Sequence, residues 1–187
     1  SIRELSEKEM TLFLRKDLGK VLVTVAPESV TCKQIKKLVE NGVIVFLGHS
    51  NADFETVSEA IESGATGFTH LYNAMSQLNA REPGMVGAAL ANPKVAYGII
   101  LDGIHMHPAS AKVAYLANKN MILVTDAMPP VGSSENDFEL PSGKVTRNDN
   151  KLTDSEGRLA GSVLDMSTAV NNAQAFLNIS KENAFNL

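Results

Sequence analysis

The sequence predicts an α/β fold built on a parallel sheet. Short apolar runs at residues 21–25, 43–47, 66–70, 95–101 and 121–125 alternate with segments of helical periodicity. The runs are apolar throughout rather than at every second position, the pattern of strands covered on both faces. Each run ends at or near a polar group: Glu28, His49, His70, the stretch Asp102-Gly-Ile-His105-Met-His107, and Asp126. Repeated strand–loop–helix succession calls for right-handed crossovers between parallel neighbours.

Taken in order, residues 4–17 carry Leu5, Met10, Leu12, Phe13 and Leu14 at helical spacing. The β-branched run at 21–25 is the first strand and stops at Ala26-Pro27-Glu28. Thr31 has the chemistry of an N-cap for a helix through Glu40, closed by Asn41-Gly42. The second strand is 43–47. Asp53 caps a helix with Val57, Ala60 and Ile61 on one face, closed by Gly64. The third strand is 66–70, followed by a loop and a short helix led by Pro83. The fourth strand is 95–101. Pro108 opens a helix through Asn118, and 121–125 is the fifth strand. From 138 to 162 the texture changes. Phe138-Glu-Leu, Lys144-Val-Thr and Lys151-Leu-Thr alternate with turn signals at Ser142-Gly143, Asn148-Asp149-Asn150 and Glu156-Gly157, which reads as short antiparallel strands. Asp165 then caps a last helix, 166–177.

Composition narrows the partners. The chain has 187 residues, a formal net charge of −4 and 44 % apolar residues, enough for one domain with a core. Its densest basic run is only Lys33 with Lys36 and Lys37, so nucleic acid and anionic membrane are poor candidates. No apolar stretch approaches the roughly 18 residues of a membrane span. The start of the chain is polar and has no signal-peptide character. Cys32 is the one cysteine, which fits a reducing, cytoplasmic setting without disulfides.

All four histidines lie at or just beyond strand ends. In barrels and open α/β sheets, active sites form at the carboxyl ends of the strands. A single histidine there is more often a loop or cap residue, and Glu28 after Pro27 is best read as capping or solvated. His49, His70 and Asp126 together differ, because they occupy equivalent positions of separate βα units, and adjacent parallel strands lie about 5 Å apart. Two imidazoles and a carboxylate so arranged suit a divalent metal such as Zn²⁺, with a carboxylate able to move a proton.

Six stretches occur in a fixed order: GHSNA (48–52), FTHLYNAM (68–75), REPG (81–84), DGIHMHP (102–108), VTDAMPPVG (124–132) and GRLAGS (157–162). This series resembles the N-acetylglucosamine-6-phosphate deacetylases of the amidohydrolase superfamily, over nearly the whole chain. The resemblance implies a metal-bearing (β/α)₈ TIM barrel, of which this chain would hold about five of eight βα units, plus a short antiparallel β extension. Residues 1–132 would be the partial catalytic barrel, 133–164 the extension over the active site, and 165–187 a helix returning to the barrel. By the same resemblance His49 and His70 look like metal ligands and Asp126 like the catalytic acid/base. Asn73, Ala74, Arg81, His105, Leu159, Ala160 and Gly161 look like substrate contacts, with Arg81 and His105 on the sugar phosphate. His107 is read as a loop residue near the site. The implied cofactor is a divalent metal: zinc first, with iron, cobalt, manganese or nickel as alternatives. A homodimer in which Arg81 serves the neighbouring subunit is implied as well. The implied reaction is hydrolysis of the acetamide of N-acetyl-D-glucosamine 6-phosphate to D-glucosamine 6-phosphate and acetate.

The family pattern also holds a metal-binding glutamate in a His-Leu-Glu-Gly-Pro motif, and a further histidine soon after it. Neither is present here, and Glu28 belongs to a later strand of the pattern. A barrel of this type takes about 250 residues. The chain therefore reads as a carboxy-proximal piece of a longer enzyme, with an incomplete metal site and negligible activity by itself. Two other readings stay open: a different amidohydrolase, dihydroorotase-like or deaminating, and a non-catalytic sugar-phosphate-binding piece.

Overall fold

A computed structural model describes residues 3–133, 137–140 and 143–187. The first helix, α1 (Glu7–Phe13), is shorter than its periodicity suggests because Ser6 caps it in a reciprocal box with Glu9, and residues Lys16–Leu18 wind separately as a 3-10 turn. Then follow β1 (Leu22–Val25), α2 (Cys32–Glu40), β2 (Ile44–Leu47) and α3 (Phe54–Glu62). Next come β3 (Gly67–Phe68), α4 (Gly84–Ala91), β4 (Ala96–Ile99), α5 (Pro108–Ala117) and β5 (Met121–Leu123). Thr31 and Asp53 cap α2 and α3 through Gln34 N and Thr56 N, satisfying donors that a helix start leaves open.

The sheet runs in chain order, β1-β2-β3-β4-β5, and the pairs among β1 to β4 are parallel. This is the succession of a partial (β/α)₈ barrel, with β1 at the sheet's edge. The chain forms two compact units, residues 1–98 with 117–121, and residues 99–116 with 122–187.

In the first unit, Val23, Val45 and Leu47 are buried, as are Ile35 and Leu38 of α2 and Val57 and Ala60 of α3. Burying an aliphatic side chain of this size contributes about 1.5–3 kcal/mol. Burial on both faces holds for β3 but not for β1 and β2. Leu22 is 53 % and Ile44 38 % exposed. They are cross-strand partners and so lie on the same face of the sheet. β3 stops short of the expected 66–70. Thr69 N still donates to Leu47 O (2.9 Å), but His70 then takes φ 32° and swings the chain out of the sheet. Asn118 fixes the turn from α4 into β4, its side-chain amide donating to Ala89 O (2.9 Å), Asn92 O (3.0 Å) and Val95 O (3.1 Å).

In the second unit, an antiparallel sheet of order β6-β7-β8-β9 is formed by β6 (Asp137–Leu140), β7 (Gly143–Asn148), β8 (Lys151–Asp154) and β9 (Leu159–Ser162). Val145 and Leu152 are fully buried. Of the expected Ser142-Gly143 turn, Ser142 lies outside the described residues. Asp165 caps α6 (Met166–Leu177) through Thr168 N (2.9 Å), and α7 (Lys181–Phe185) follows. The Asn172 amide of α6 donates to Leu101 O (2.7 Å), holding the helix against the segment after β4.

Candidate active site

The carboxyl ends of β2 and β3 bring two imidazoles together edge to face. Nε2 of His49 and Nε2 of His70 are 2.9 Å apart, with ring centroids at 4.6 Å and planes at 80°. Both residues are held in left-handed backbone, φ 52° and 32°, a conformation that side chains other than glycine rarely adopt. Gly48, just before His49, leaves room for two threonine side chains. A Cβ there would lie 3.0 Å from Thr24 Cγ2 and 3.2 Å from Thr69 Cβ. With no side chain in between, the hydroxyls of Thr24 and Thr69 meet across the strand end at 2.6 Å.

Next to His49, the buried Ser50 hydroxyl donates to Glu28 Oε2 (2.5 Å) and accepts from Ala52 N (2.9 Å). Glu28 is therefore tied to the residue after His49, a partner its sequence position did not reveal. The loop after His70 is pinned to the same place. Asn73 N donates to His70 O (2.9 Å), Ser50 N to Ala74 O (3.1 Å) and Ser76 N to Ser50 O (3.0 Å). Tyr72 and Ala74 also have positive φ, 75° and 49°. Thus His49, His70, Asn73 and Ala74 sit together. Thr24, Glu28, His49, Ser50, Asn51 and Ala74 line one open cleft of about 890 Å³. Arg81 is exposed. Its loop is anchored by Glu82, whose Oε1 accepts from Phe54 N (2.8 Å) at the start of α3 and from Gly84 N (3.0 Å).

The imidazole pair can share a proton or a positive ion. Two neutral rings with lone pairs facing at this separation repel unless one carries a proton on Nε2 or a positive ion lies between them. In a tetrahedral zinc site, with bonds near 2.0–2.1 Å, ligand nitrogens lie roughly 3.3 Å apart, a few tenths of an ångström beyond the distance here. His70 Nδ1 is buried with no hydrogen-bond partner. Among the described residues no group of three or more His, Cys, Asp or Glu gathers in metal-binding geometry. The two histidines are thus short of the usual set of three protein ligands.

In the second unit, Asp126 follows β5, exposed and with φ 50°. β9 is docked against it: Ser162 N donates to Asp126 O (2.8 Å), Met128 N to Ser162 O (3.0 Å), and Ser162 Oγ to Thr125 O. Gly161 has φ 74°, and a Cβ there would lie 2.4 Å from Met128 Cγ and 3.2 Å from Asp126 O. The Leu159–Ser162 strand therefore lies directly on the Asp126 turn.

His105 is clasped by a residue that the sequence motif contained without suggesting a role. Asp102 Oδ1 accepts from Ile104 N (2.8 Å) and His105 N (2.7 Å), and Oδ2 accepts from His105 Nδ1 (2.6 Å). The two side chains are 9 % and 6 % exposed. Burial pushes the Asp102 carboxyl up, but its bonds from the His105 ring and the two backbone amides outweigh that and hold it below the usual carboxylate range. His107 instead serves α5: its Nδ1 accepts from Ala109 N (3.1 Å) and its carbonyl from Ala111 N (3.1 Å).

No protein-family model matches the chain. Curated relatives do. It is 56 % identical to an N-acetylgalactosamine-6-phosphate deacetylase of Shewanella sp. (strain ANA-3), over 98 % of this chain and 47 % of that protein. It is 40 % identical to an N-acetylglucosamine-6-phosphate deacetylase of Bacillus subtilis, over 85 % of this chain and 41 % of that one. Among solved structures, an N-acetylglucosamine-6-phosphate deacetylase of Pasteurella multocida superposes with a TM-score of 0.92 at 34 % identity, over 97 % of this chain and 48 % of its own. A mutant of the Mycobacterium smegmatis enzyme, in complex with N-acetyl-D-glucosamine-6-phosphate, matches with a TM-score of 0.81 at 30 % identity, over 87 % and 44 %. The chain spans about half the length of the curated relatives it matches. Among the described residues no helix is long and apolar enough to cross a membrane.

Proposed function

This chain belongs to the family of N-acetylglucosamine- and N-acetylgalactosamine-6-phosphate deacetylases, and on that premise we propose that the full-length protein hydrolyses the acetamide of an N-acetylhexosamine 6-phosphate, releasing acetate and the amino-sugar phosphate. The observation that carries the reading is the pair of facing Nε2 atoms, His49 and His70, at the ends of adjacent parallel strands. These two imidazoles would hold a divalent metal, zinc first among candidates, with a further ligand from outside the described residues. When bound, such an ion supplies a water of lowered pKa and polarises the carbonyl.

The chain's own residues do the rest. The Asp126 carboxylate accepts a proton from the attacking water and returns it to the departing nitrogen. Amines leave amides poorly, so this return matters as much as the attack. Asn73 and Ala74 present an amide and a backbone turn to the sugar. Arg81 offers a planar fork and His105 a ring nitrogen to the phosphate, while Leu159, Ala160 and Gly161 close over the sugar. The enzyme works in the cytoplasm as a homodimer in which Arg81 reaches the partner's site.

Two sugars compete as substrate. N-acetylglucosamine 6-phosphate fits most of the named relatives, whereas the 56 % identity to an N-acetylgalactosamine-6-phosphate deacetylase favours the C4 epimer. Acetate release from each sugar phosphate by the full-length, metal-loaded protein separates them by kcat/KM. Ammonia in place of acetate, or no release from either, would overturn the deacetylase reading.

A further inference from the structure

We propose that Asp102 is a positioning residue that holds His105 with its proton on Nδ1 and its Nε2 edge set for the substrate's 6-phosphate. The proposal rests on the reading that His105 contacts that phosphate. Its own basis is the clasp. An aspartate whose oxygen accepts from a backbone N–H two residues on is an ordinary loop device, and Oδ1 alone performs that task here for Ile104 and His105. Oδ2 is committed to the ring, 2.6 Å from Nδ1. An ionised carboxylate only accepts hydrogen bonds, so Nδ1 must carry the hydrogen. Rotating the ring would break that bond inside a setting where both side chains are at least nine-tenths buried, which makes rotation costly.

With Nδ1 spoken for, Nε2 is the nitrogen left to meet a ligand, and it makes no hydrogen bond among the described residues. A phosphate oxygen accepts only, so a ring that grips it donates from Nε2 as well. The cation so formed has its counter-charge in Asp102. On α6, Asn172 bonds Leu101 O and Phe176 lies beside Gly103, and neither side chain carries a charge.

The test uses the full-length protein with ¹⁵N-labelled histidine. Long-range ¹H–¹⁵N spectra of the unaltered protein should show His105 with a proton on Nδ1, and Asp102→Asn should change that signature. In parallel, kcat/KM is measured for N-acetylglucosamine 6-phosphate and for unphosphorylated N-acetylglucosamine, in Asp102→Asn and His105→Gln. Both variants should lose about tenfold or more on the phosphorylated sugar and little on the other. If His105→Gln shows that split and Asp102→Asn does not, the positioning role is wrong while the phosphate contact stands. If His105→Gln lacks the split, the phosphate contact falls and the proposal with it. A bare Nδ1 in the unaltered protein overturns the proposal even if the variants fail to fold.

Discussion

His49, His70 and Asp126 share a backbone feature that their side chains do not explain: each has a positive φ at the end of a strand. Left-handed backbone at a residue with a Cβ costs of the order of 1–3 kcal/mol. For Asp126 this separates shape from chemistry. Asp126→Asn keeps the shape and removes the proton acceptor, so turnover in the full-length protein should fall about 10²–10⁴-fold with the substrate still bound. Asp126→Gly should lose turnover as fully yet melt no earlier than the parent, because glycine takes this φ without penalty. Near-normal turnover in the first variant would remove Asp126 from the proton path. Asp102 makes a pH-dependent contribution. Its carboxyl is held below the ordinary value of 3.8 by the His105 ring and two amides, against the upward push of burial. A carboxylate depressed on folding stabilises above its unfolded pKa, and that stabilisation is lost as pH falls through the folded value. Acid unfolding curves of the parent and Asp102→Asn should therefore converge as pH drops below about 3.8, and parallel curves throughout would show that the clasp contributes nothing to stability.

At the scale of elements, the decisive joint is β9 on the Asp126 turn. Gly161→Ala forces a Cβ to 2.4 Å from Met128 Cγ in left-handed backbone. It should cost about 1–3 kcal/mol, read by chemical denaturation. It should also lower activity, since Leu159, Ala160 and Gly161 are proposed to cover the sugar. How much of this was legible depends on whether a signal is local. The caps at Thr31, Asp53 and Asp165 follow from a polar residue set before a periodic segment, and the structure has all three. The strands were visible as apolar runs, but the length of β3 was not, because His70 leaves the sheet by a dihedral angle that composition does not encode. The antiparallel texture after Phe138 was legible, whereas β9 was met only as a motif. The Glu28–Ser50 and Asp102–His105 contacts lay beyond sequence reasoning for different reasons. The first joins residues 22 apart in the chain. The second lies within four residues, but an aspartate three before a histidine is too common to mark a clasp.

At the scale of the whole molecule, the proposed homodimer has a direct assay. Arg81→Ala and Asp126→Asn subunits, each nearly inactive alone, should regain part of the activity when mixed and allowed to exchange, because one composite site then holds both native residues. No regain despite verified exchange would put Arg81 in its own subunit's site. The sheet's order carries one more consequence. Each of β2, β3 and β4 pairs with the strand before it in the chain: Leu22 opposite Ile44, Phe46 opposite Gly67, Gly67 opposite Ala96. Each closure therefore spans only about 20–30 residues, and loop-closure entropy grows slowly with length. A parallel sheet is ordinarily slow to form because its contacts are distant. Here each strand can add to its predecessor as it leaves the ribosome, without waiting for the residues that follow.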